Sequence, residues 1–587
     1  MTRATQPKLQ IGTLQAAFDS GDLTPEALLT LIYQRIAVLG VRPIWIEVVP
    51  QEAALTALQS ARERKAKGEN LPLFGVPFAV KDNIDIAGMP TSAGCPDFAY
   101  TPTQSNPVVK RLIEAGAILI GKTNMDQFAT GLVGTRSPYG ACSSVFNAKY
   151  ISGGSSSGSA LAVAQGLACF SLGTDTAGSG RIPAAFNELV GLKPTRGALS
   201  TRGVVPACRS LDCVSIFANS VGDAALLFDI VRAFDAADPF SRAAPTATVR
   251  VAGAFKFGVP QAGQLEFFGN SAYAKLFGQA VERCVRLGGT AVSVDLTAFL
   301  AAAELLYAGP WVAERYAAVG QFIEEHPGAV DPTVAKIILA GKNFSAADCF
   351  RAQHALAGLQ QQAAAILREV DFLLLPTAPT SYTLQQVAEE PLQLNMNLGR
   401  YTNFVNLLDM SAVAVPAGFT DTGLSFGVTL MSAAWAEAAL LQFAAQFCGE
   451  KPPAIAGNNE IILAVAGAHL SGQPLNHQLT SRGARLVQTC KTSGEYRLYA
   501  LNTVPPKPGL VLSPGFAGAG IDVELWALTA EAFGSFVAEV PAPMTIGSVV
   551  LENGKTVKGF LCEPFALEGA RDITHHGGWR AFLTPSR

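Results

Sequence analysis

Histidine is scarce in this chain of 587 residues, with six in all, and charged residues make up only 15%. Lys plus Arg is 43 and Asp plus Glu is 46, which leaves a formal charge of −3. Without a positive field there is no long-range pull toward phosphate, so nucleic acid and anionic membranes are not expected as main partners. The ten cysteines form no C-x-x-C pair and no Cys/His cluster of zinc spacing, which points to no metal and to reduced thiols in a cytoplasmic protein. Met1 to Gln15 is polar and lacks the apolar stretch of a signal peptide. The longest uncharged run, Tyr150 to Thr174, is mostly Gly and Ser until Ala160, and its apolar remainder is too short to cross a bilayer. What the chain does have is core formers, 49% apolar residues, enough for a large globular body.

Helix and apolar strand alternate through the first part of the chain. Thr13 to Val38 carries apolar residues at helical spacing, broken at Ser20-Gly21-Asp22, with Thr24-Pro25 as an N-cap and first helical residue. A helix over Ala53 to Gly68, a buried strand over Val76 to Val80 ending at Lys81, a helix over Val108 to Ala115 and a strand over Ala117 to Ile120 follow. This alternation predicts an α/β fold, a mixed sheet covered by helices on both faces. Pro, Gly and Asn collect between Gly449 and Glu460, and that linker chemistry divides the chain into domains 1–455 and 456–587. The second is strand-rich: Ile461 to Val465, Tyr496 to Leu501, Ile521 to Leu528, Ser548 to Glu552 and Lys555 to Leu561. Asn553-Gly554 between the last two predicts a type I′ hairpin in a small α+β domain.

Two motifs match patterns whose chemistry the surrounding residues do not support. Gly116 to Thr123 satisfies G-x-x-x-x-G-K-[ST], but its middle residues Ala-Ile-Leu-Ile prefer a buried strand to a loop around phosphate. Gly154 to Gly158 satisfies G-x-S-x-G with Ser156 as nucleophile, which needs a downstream acid and histidine. Only His326 and His354 lie between that motif and the linker, and both sit in polar surroundings. A histidine-based triad is therefore not expected.

A third arrangement uses the same serine run differently. Ser152 to Ala160 leads into an Ala-rich helix, a second glycine loop runs from Gly173 to Ala184, and Lys81 ends an apolar strand in Pro77-Phe-Ala-Val-Lys81-Asp-Asn83. Each alone reads as a linker, a helix start or a solvated lysine. Together, in this order, they resemble the amidase signature family of Ser-cisSer-Lys hydrolases over roughly residues 10–450. The resemblance implies that Ser179 is the nucleophile, Ser155 the bridging serine after a cis peptide, and Lys81 the base. It also implies a large mixed sheet and an oxyanion hole of backbone donors at Thr176, Ala177 and Gly178.

These residue types suit that work. A serine hydroxyl needs a neighbouring base, and a lysine serves only when neutral, which burial favours because the charged form loses hydration. Ser155 then relays the proton from Ser179 to Lys81 and back to the leaving amine.

Leu306-Tyr307-Ala-Gly-Pro-Trp311-Val-Ala-Glu-Arg315-Tyr316 offers a guanidinium fork and a phenol, although by itself it also fits a packed amphipathic helix. This segment and Phe128 to Gly140 are similar to the allophanate hydrolases within the family, which implies that Tyr307 and Arg315 hold a substrate carboxylate. Gly467 to Leu479 resembles the C-terminal module of those enzymes, similar to the γ-glutamylcyclotransferase fold with a small pocket after its first strand. In some members that module is implicated in decarboxylating N-carboxycarbamate, which makes His477 a candidate participant. No metal and no organic cofactor is expected. The expected partners are a small-molecule substrate, allophanate, a second copy in a homodimer, and other enzymes of the pathway through the C-terminal domain.

Overall fold

The computed structural model describes residues 8–245, 254–453, 461–504, 506–528 and 530–583. The chain divides into two compact units, Met1–Ala454 and Ile455–Arg587, and the boundary placed near 455 lies outside the described residues. Among the described residues no helix is long and apolar enough to cross a membrane.

Among the described residues the first unit is built on a sheet of eleven strands: β1 Trp45–Val48, β2 Pro77–Lys81, β3 Ile118–Thr123, β4 Phe170–Asp175, β5 Val190–Lys193, β6 Cys213–Ala218, β7 Phe255–Pro260, β8 Gly289–Val294, β9 Phe372–Pro376, β10 Met410–Phe419 and β11 Ser425–Ala433. Their order across the sheet is β1-β3-β2-β4-β6-β5-β10-β11-β9-β7-β8. β2 runs parallel to β3 and β4, and β7 parallel to β8 and β9, while β4–β6 and β10–β11 are antiparallel. Both faces are covered, as alternate residues of β9 show. Phe372 and Leu374 join one apolar cluster with the helices Val221–Val231, Ser271–Arg286 and Glu437–Cys448, and Leu373 and Leu375 join another with Thr297–Tyr307 and Ala346–Leu367.

The local signals near the N-terminus act as read. The helix Ile11–Ser20 ends at Gly21 in the left-handed region, and Pro25–Leu39 starts with Thr24 Oγ1 accepting the Ala27 N–H at 3.2 Å. The phosphate-loop pattern at Gly116 to Thr123 is β3, with Lys122 buried against Asp82 and the Ile84 carbonyl.

Among its described residues the second unit has a five-stranded sheet and a three-stranded one, from β12 Ile461–Val465, β13 Arg485–Lys491, β14 Tyr496–Leu501, β15 Lys507–Leu512, β16 Asp522–Leu528, β17 Met544–Val550, β18 Thr556–Cys562 and β19 Arg571–Asp572. The β17–β18 hairpin corrects one expectation. Only Gly554 has positive φ, at 78°, while Asn553 does not, so the turn is not type I′. The Gly554 N–H bonds to the Leu551 carbonyl and Asn553 Oδ1 accepts the Lys555 N–H at 3.0 Å. A longer connection with one left-handed glycine closes the hairpin.

Candidate active site

Topology brings the predicted loops together. Because β2 and β4 are parallel, with Val80 opposite Leu172, Lys81 at the end of β2 and the glycine loop after β4 emerge at the same edge, where α/β folds place their ligands. The Ser152–Ser156 segment precedes the helix Ser157–Ala164, which leads into β4. Its Gly154–Ser155 peptide is cis.

Lys81 Nζ lies 2.8 Å from Ser155 Oγ and 2.8 Å from Thr174 Oγ1, and Ser155 Oγ lies 3.0 Å from Ser179 Oγ. Lys81 is 0% and Ser179 3% exposed. Burial pushes the Lys81 amine down to about 7, against the opposing pull of Asp126, Asp212 and Asp175. A lysine of that kind is neutral often enough near neutral pH to accept a proton. Ser156, the alternative nucleophile, turns its hydroxyl to the Thr174 carbonyl at 3.1 Å, and His326 and His354 are exposed.

Asp175 and Arg181 fix the glycine loop, a role the sequence did not assign although both lie between Gly173 and Ala184. Asp175 Oδ1 accepts the Gly178 N–H at 2.9 Å and Oδ2 accepts the Gly180 N–H at 3.0 Å, while Arg181 Nε and Nη2 grip the same carboxylate at 2.9 Å each. Burial would raise Asp175, but Arg181 outweighs it and holds the carboxyl below its usual value. Of the three expected oxyanion donors, the Gly178 N–H bonds Asp175 in this structure. Thr176, Ala177 and Ser179 carry the other N–H groups of that turn. Thr176 is held in turn by its hydroxyl on Asp212, which also takes the Ala207 and Cys208 N–H groups at 2.9 and 3.2 Å. Asp212 is raised to about 6 by burial. An Asp175→Asn variant puts an amide among four N–H donors and leaves Arg181 unpaired in the interior. It is expected to lose about 3–5 kcal/mol of stability. A urea midpoint for the first unit equal to the parent's would contradict this.

Tyr307 and Arg315 also meet. On the helix Trp311–Glu325 the buried residues Val312, Arg315, Val319 and Ile323 share one face, so the arginine points inward at an apolar position. Arg315 is 1% exposed, its guanidinium carbon lies 5.4 Å from the centre of the Tyr307 ring, and Nη1 donates to Thr130 Oγ1 at 3.0 Å. Nε and Nη2 are buried without a partner. Contiguous contacts connect this helix to the serines: the Trp311 carbonyl accepts from Cys208 Sγ, the Cys208 N–H bonds Asp212, and Asp212 holds Thr176.

In the second unit His477 is exposed, with Nδ1 2.9 Å from the Pro474 carbonyl. A cavity of about 300 Å³ adjoins the end of β12, and His469, Gln478, Lys507, Glu539 and Phe560 are among its lining residues, but His477 is not. His469 stacks on Phe560 and bonds Gln478 Oε1 at 2.9 Å. His477, at the start of a short helix His477–Thr480, is not among the residues lining that cavity, whereas His469 is. Among the described residues no group of three or more His, Cys, Asp or Glu is placed to hold a metal.

A mixed sheet sandwiched by helices, with a buried amine and two serines at one edge, defines an α/β amidohydrolase. The amidase family model matches residues 27–441, and the model of the allophanate hydrolase C-terminal domain matches 461–584. The chain belongs to the amidase family. It is 43% identical over 597 residues to the urea amidolyase of Saccharomyces cerevisiae, covering 95% of this chain and 32% of the relative. The urea amidolyase of Lachancea kluyveri is likewise 43% identical over 577 residues, covering 92% of this chain and 31% of the relative. The structure of Kluyveromyces lactis allophanate hydrolase superposes with a TM-score of 0.78 at 41% identity, covering 98% of both chains. The chain thus spans about a third of the length of the urea amidolyases it matches.

Proposed function

We propose that the chain is an allophanate hydrolase that attacks the terminal amide of urea-1-carboxylate through Ser179. The observation that carries the substrate is Arg315, a buried cation with Nε and Nη2 unpartnered. Burying a charge with unused donors is costly unless a ligand of opposite charge takes them up. Tyr307, beside it, adds a hydroxyl to the same recognition. A carboxylate held there sets a short amide across the serine hydroxyl.

In the first half-reaction Ser155 takes the proton of Ser179 as it passes its own to neutral Lys81. Ser179 Oγ forms a bond to the carbonyl carbon, and the oxyanion is met by N–H groups of the Thr176–Ser179 turn. The proton returns by the same route to the departing nitrogen, the C–N bond breaks, and ammonia leaves. Water then cleaves the acyl ester, its proton following the same relay, to give N-carboxycarbamate. N-carboxycarbamate takes up a proton and loses CO₂ to leave carbamate, which takes up another and falls apart to ammonia and CO₂, so the total is two ammonia and two CO₂ per allophanate. The cavity at His469 in the second unit is the place we assign to handling that product, in place of His477. The ten free thiols suit a cytoplasmic site of action. Light scattering on the purified chain reads the proposed homodimer.

Steady-state kcat/KM on allophanate, biuret and malonamate tests the substrate. Allophanate is expected to lead biuret, its uncharged analogue, by roughly 10²-fold, the size of one charged bidentate contact. Arg315→Ala should raise KM for allophanate and erase most of that lead. Equal kcat/KM for allophanate and biuret in the parent enzyme would remove the proposed substrate while leaving the hydrolytic machinery standing.

A further inference from the structure

The unpartnered donors of Arg315, Nε and Nη2, lie on one edge of its guanidinium. Two arginines of the first unit are fully buried beside the site, and one of them already shows how this interior grips a carboxylate. Arg181 presents Nε and Nη2 to the two oxygens of Asp175, at 2.9 Å each. On Arg315 the same two nitrogens are the unpartnered ones, and the third, Nη1, is taken by Thr130 Oγ1 at 3.0 Å. The guanidinium is planar, so fixing one corner and the side-chain stem fixes the direction in which the opposite edge points.

Thr130 is well held for that task. Its hydroxyl donates to the Phe128 carbonyl at 3.2 Å, which leaves lone pairs to accept from Arg315. Its carbonyl accepts from Arg136 Nη1 at 3.0 Å, and its N–H bonds the Gln127 carbonyl at 3.0 Å. The residues just before it, Phe128 and Ala129, both have φ in the left-handed region, 51° and 52°, a conformation that side chains other than glycine adopt only when their surroundings enforce it. The same loop is tied by Asp126, whose oxygens take the Arg136 and Gly134 N–H groups at 2.9 and 3.0 Å. The Asp126 N–H in turn bonds the Ser155 carbonyl at 3.2 Å. One loop therefore touches the bridging serine at one end and the arginine at the other.

We infer that Thr130 is a positioning residue that sets the roll of the Arg315 guanidinium, keeping its Nε–Nη2 edge open for the substrate carboxylate and so setting the preference for carboxylated amides. This rests on the allophanate reading given above. Without the Thr130 acceptor, Nη1 becomes a third unpartnered donor, and the plane is free to turn toward the Thr130 side and present an edge out of line with the serines.

The test compares Thr130→Val, which keeps the shape and removes the acceptor, with Thr130→Ser, which keeps the acceptor, and with Arg315→Ala. Each is assayed for ammonia release from allophanate and from biuret, with malonate as a competitive probe of the carboxylate site. Thr130→Val is expected to raise KM for allophanate and Ki for malonate by roughly 10- to 100-fold, the weight of one charge-assisted hydrogen bond. Its kcat should stay within about 3-fold of the parent and its biuret kinetics should not move, while Thr130→Ser restores both constants. Equal losses on allophanate and biuret, or no change on either, would overturn the role of Thr130. If Arg315→Ala shifts allophanate and malonate but Thr130→Val does not, only this inference fails. If Arg315→Ala leaves both unchanged, the carboxylate reading itself fails.

Discussion

Alanine at Ser179 should lower ammonia release from allophanate by a factor on the order of 10⁶, the loss seen when a hydrolase loses its nucleophile. Ser179 Oγ lies 3.0 Å from Ser155 Oγ, and neither neighbouring serine is placed to substitute for it. Ser155 is held between Lys81 and Ser179, and Ser156 spends its hydroxyl on the Thr174 carbonyl. What remains in the variant is the backbone turn and the Arg315 grip, which polarise and hold the substrate without supplying an attacking atom. Malonate should accordingly bind the variant as tightly as the parent. Turnover within roughly 10²-fold of the parent would mean that another group attacks, and the relay from Ser179 to Lys81 would have to be abandoned.

The catalytic segments were legible because each carries a backbone demand as well as a side chain. Gly178, with φ of 130°, sits so close to Thr402 that a Cβ would collide with its hydroxyl, and such positions show in sequence as glycines. Lys81 was visible as a charge closing an apolar strand. Asp175 and Arg181 fall within the Gly173 to Ala184 loop but carry no task there, because a bidentate grip six residues apart is a product of the turn geometry. Asp126 was not singled out, and Thr130 lay within the Phe128 to Gly140 segment without a task of its own. Their neighbours Phe128 and Ala129 adopt left-handed backbone without being glycine, so those two positions carry no sequence signal of their conformation.

Much of the large sheet was hidden for a different reason. β10 reads Met-Ser-Ala-Val-Ala-Val-Pro-Ala-Gly-Phe, and its Pro416 argues against a central strand. The structure accommodates it through a shift of register between Pro416 and Gly418 against β11. Arg315 was ambiguous in the opposite sense. Its place among Val312, Val319 and Ile323 is a helical face that expects an apolar residue, and an arginine there is a conflict between levels that marks a site. The hairpin at Asn553-Gly554 shows the limit of dipeptide signals. Asn553 directs its side chain to the Lys555 N–H and keeps negative φ, so the pair closes a hairpin by another turn.

The largest effect after Ser179 belongs to Lys81, and it has a signature in pH as well as in rate. Methionine fills a similar volume without a proton acceptor, so Lys81→Met is expected to lose roughly 10²–10⁴-fold in kcat, the range for general acid–base work. In the parent, kcat/KM should rise as pH increases through about 7, where burial places the amine, because only the neutral form accepts the proton. That limb should be missing in the variant. Stability gives an independent reading of the same group. The folded pKa lies below the unfolded value of 10.5, so between about 7 and 10.5 the unfolded chain binds a proton that the folded one does not. In that window Lys81 makes stability rise with pH by about 1.4 kcal/mol per unit, and its penalty is fully present below about 7. Urea unfolding at several pH values should therefore show a slope smaller by that amount in Lys81→Met. A variant whose slope equals the parent's would mean the amine is charged in the folded protein at neutral pH, and a charged lysine cannot draw the proton of Ser179 through Ser155.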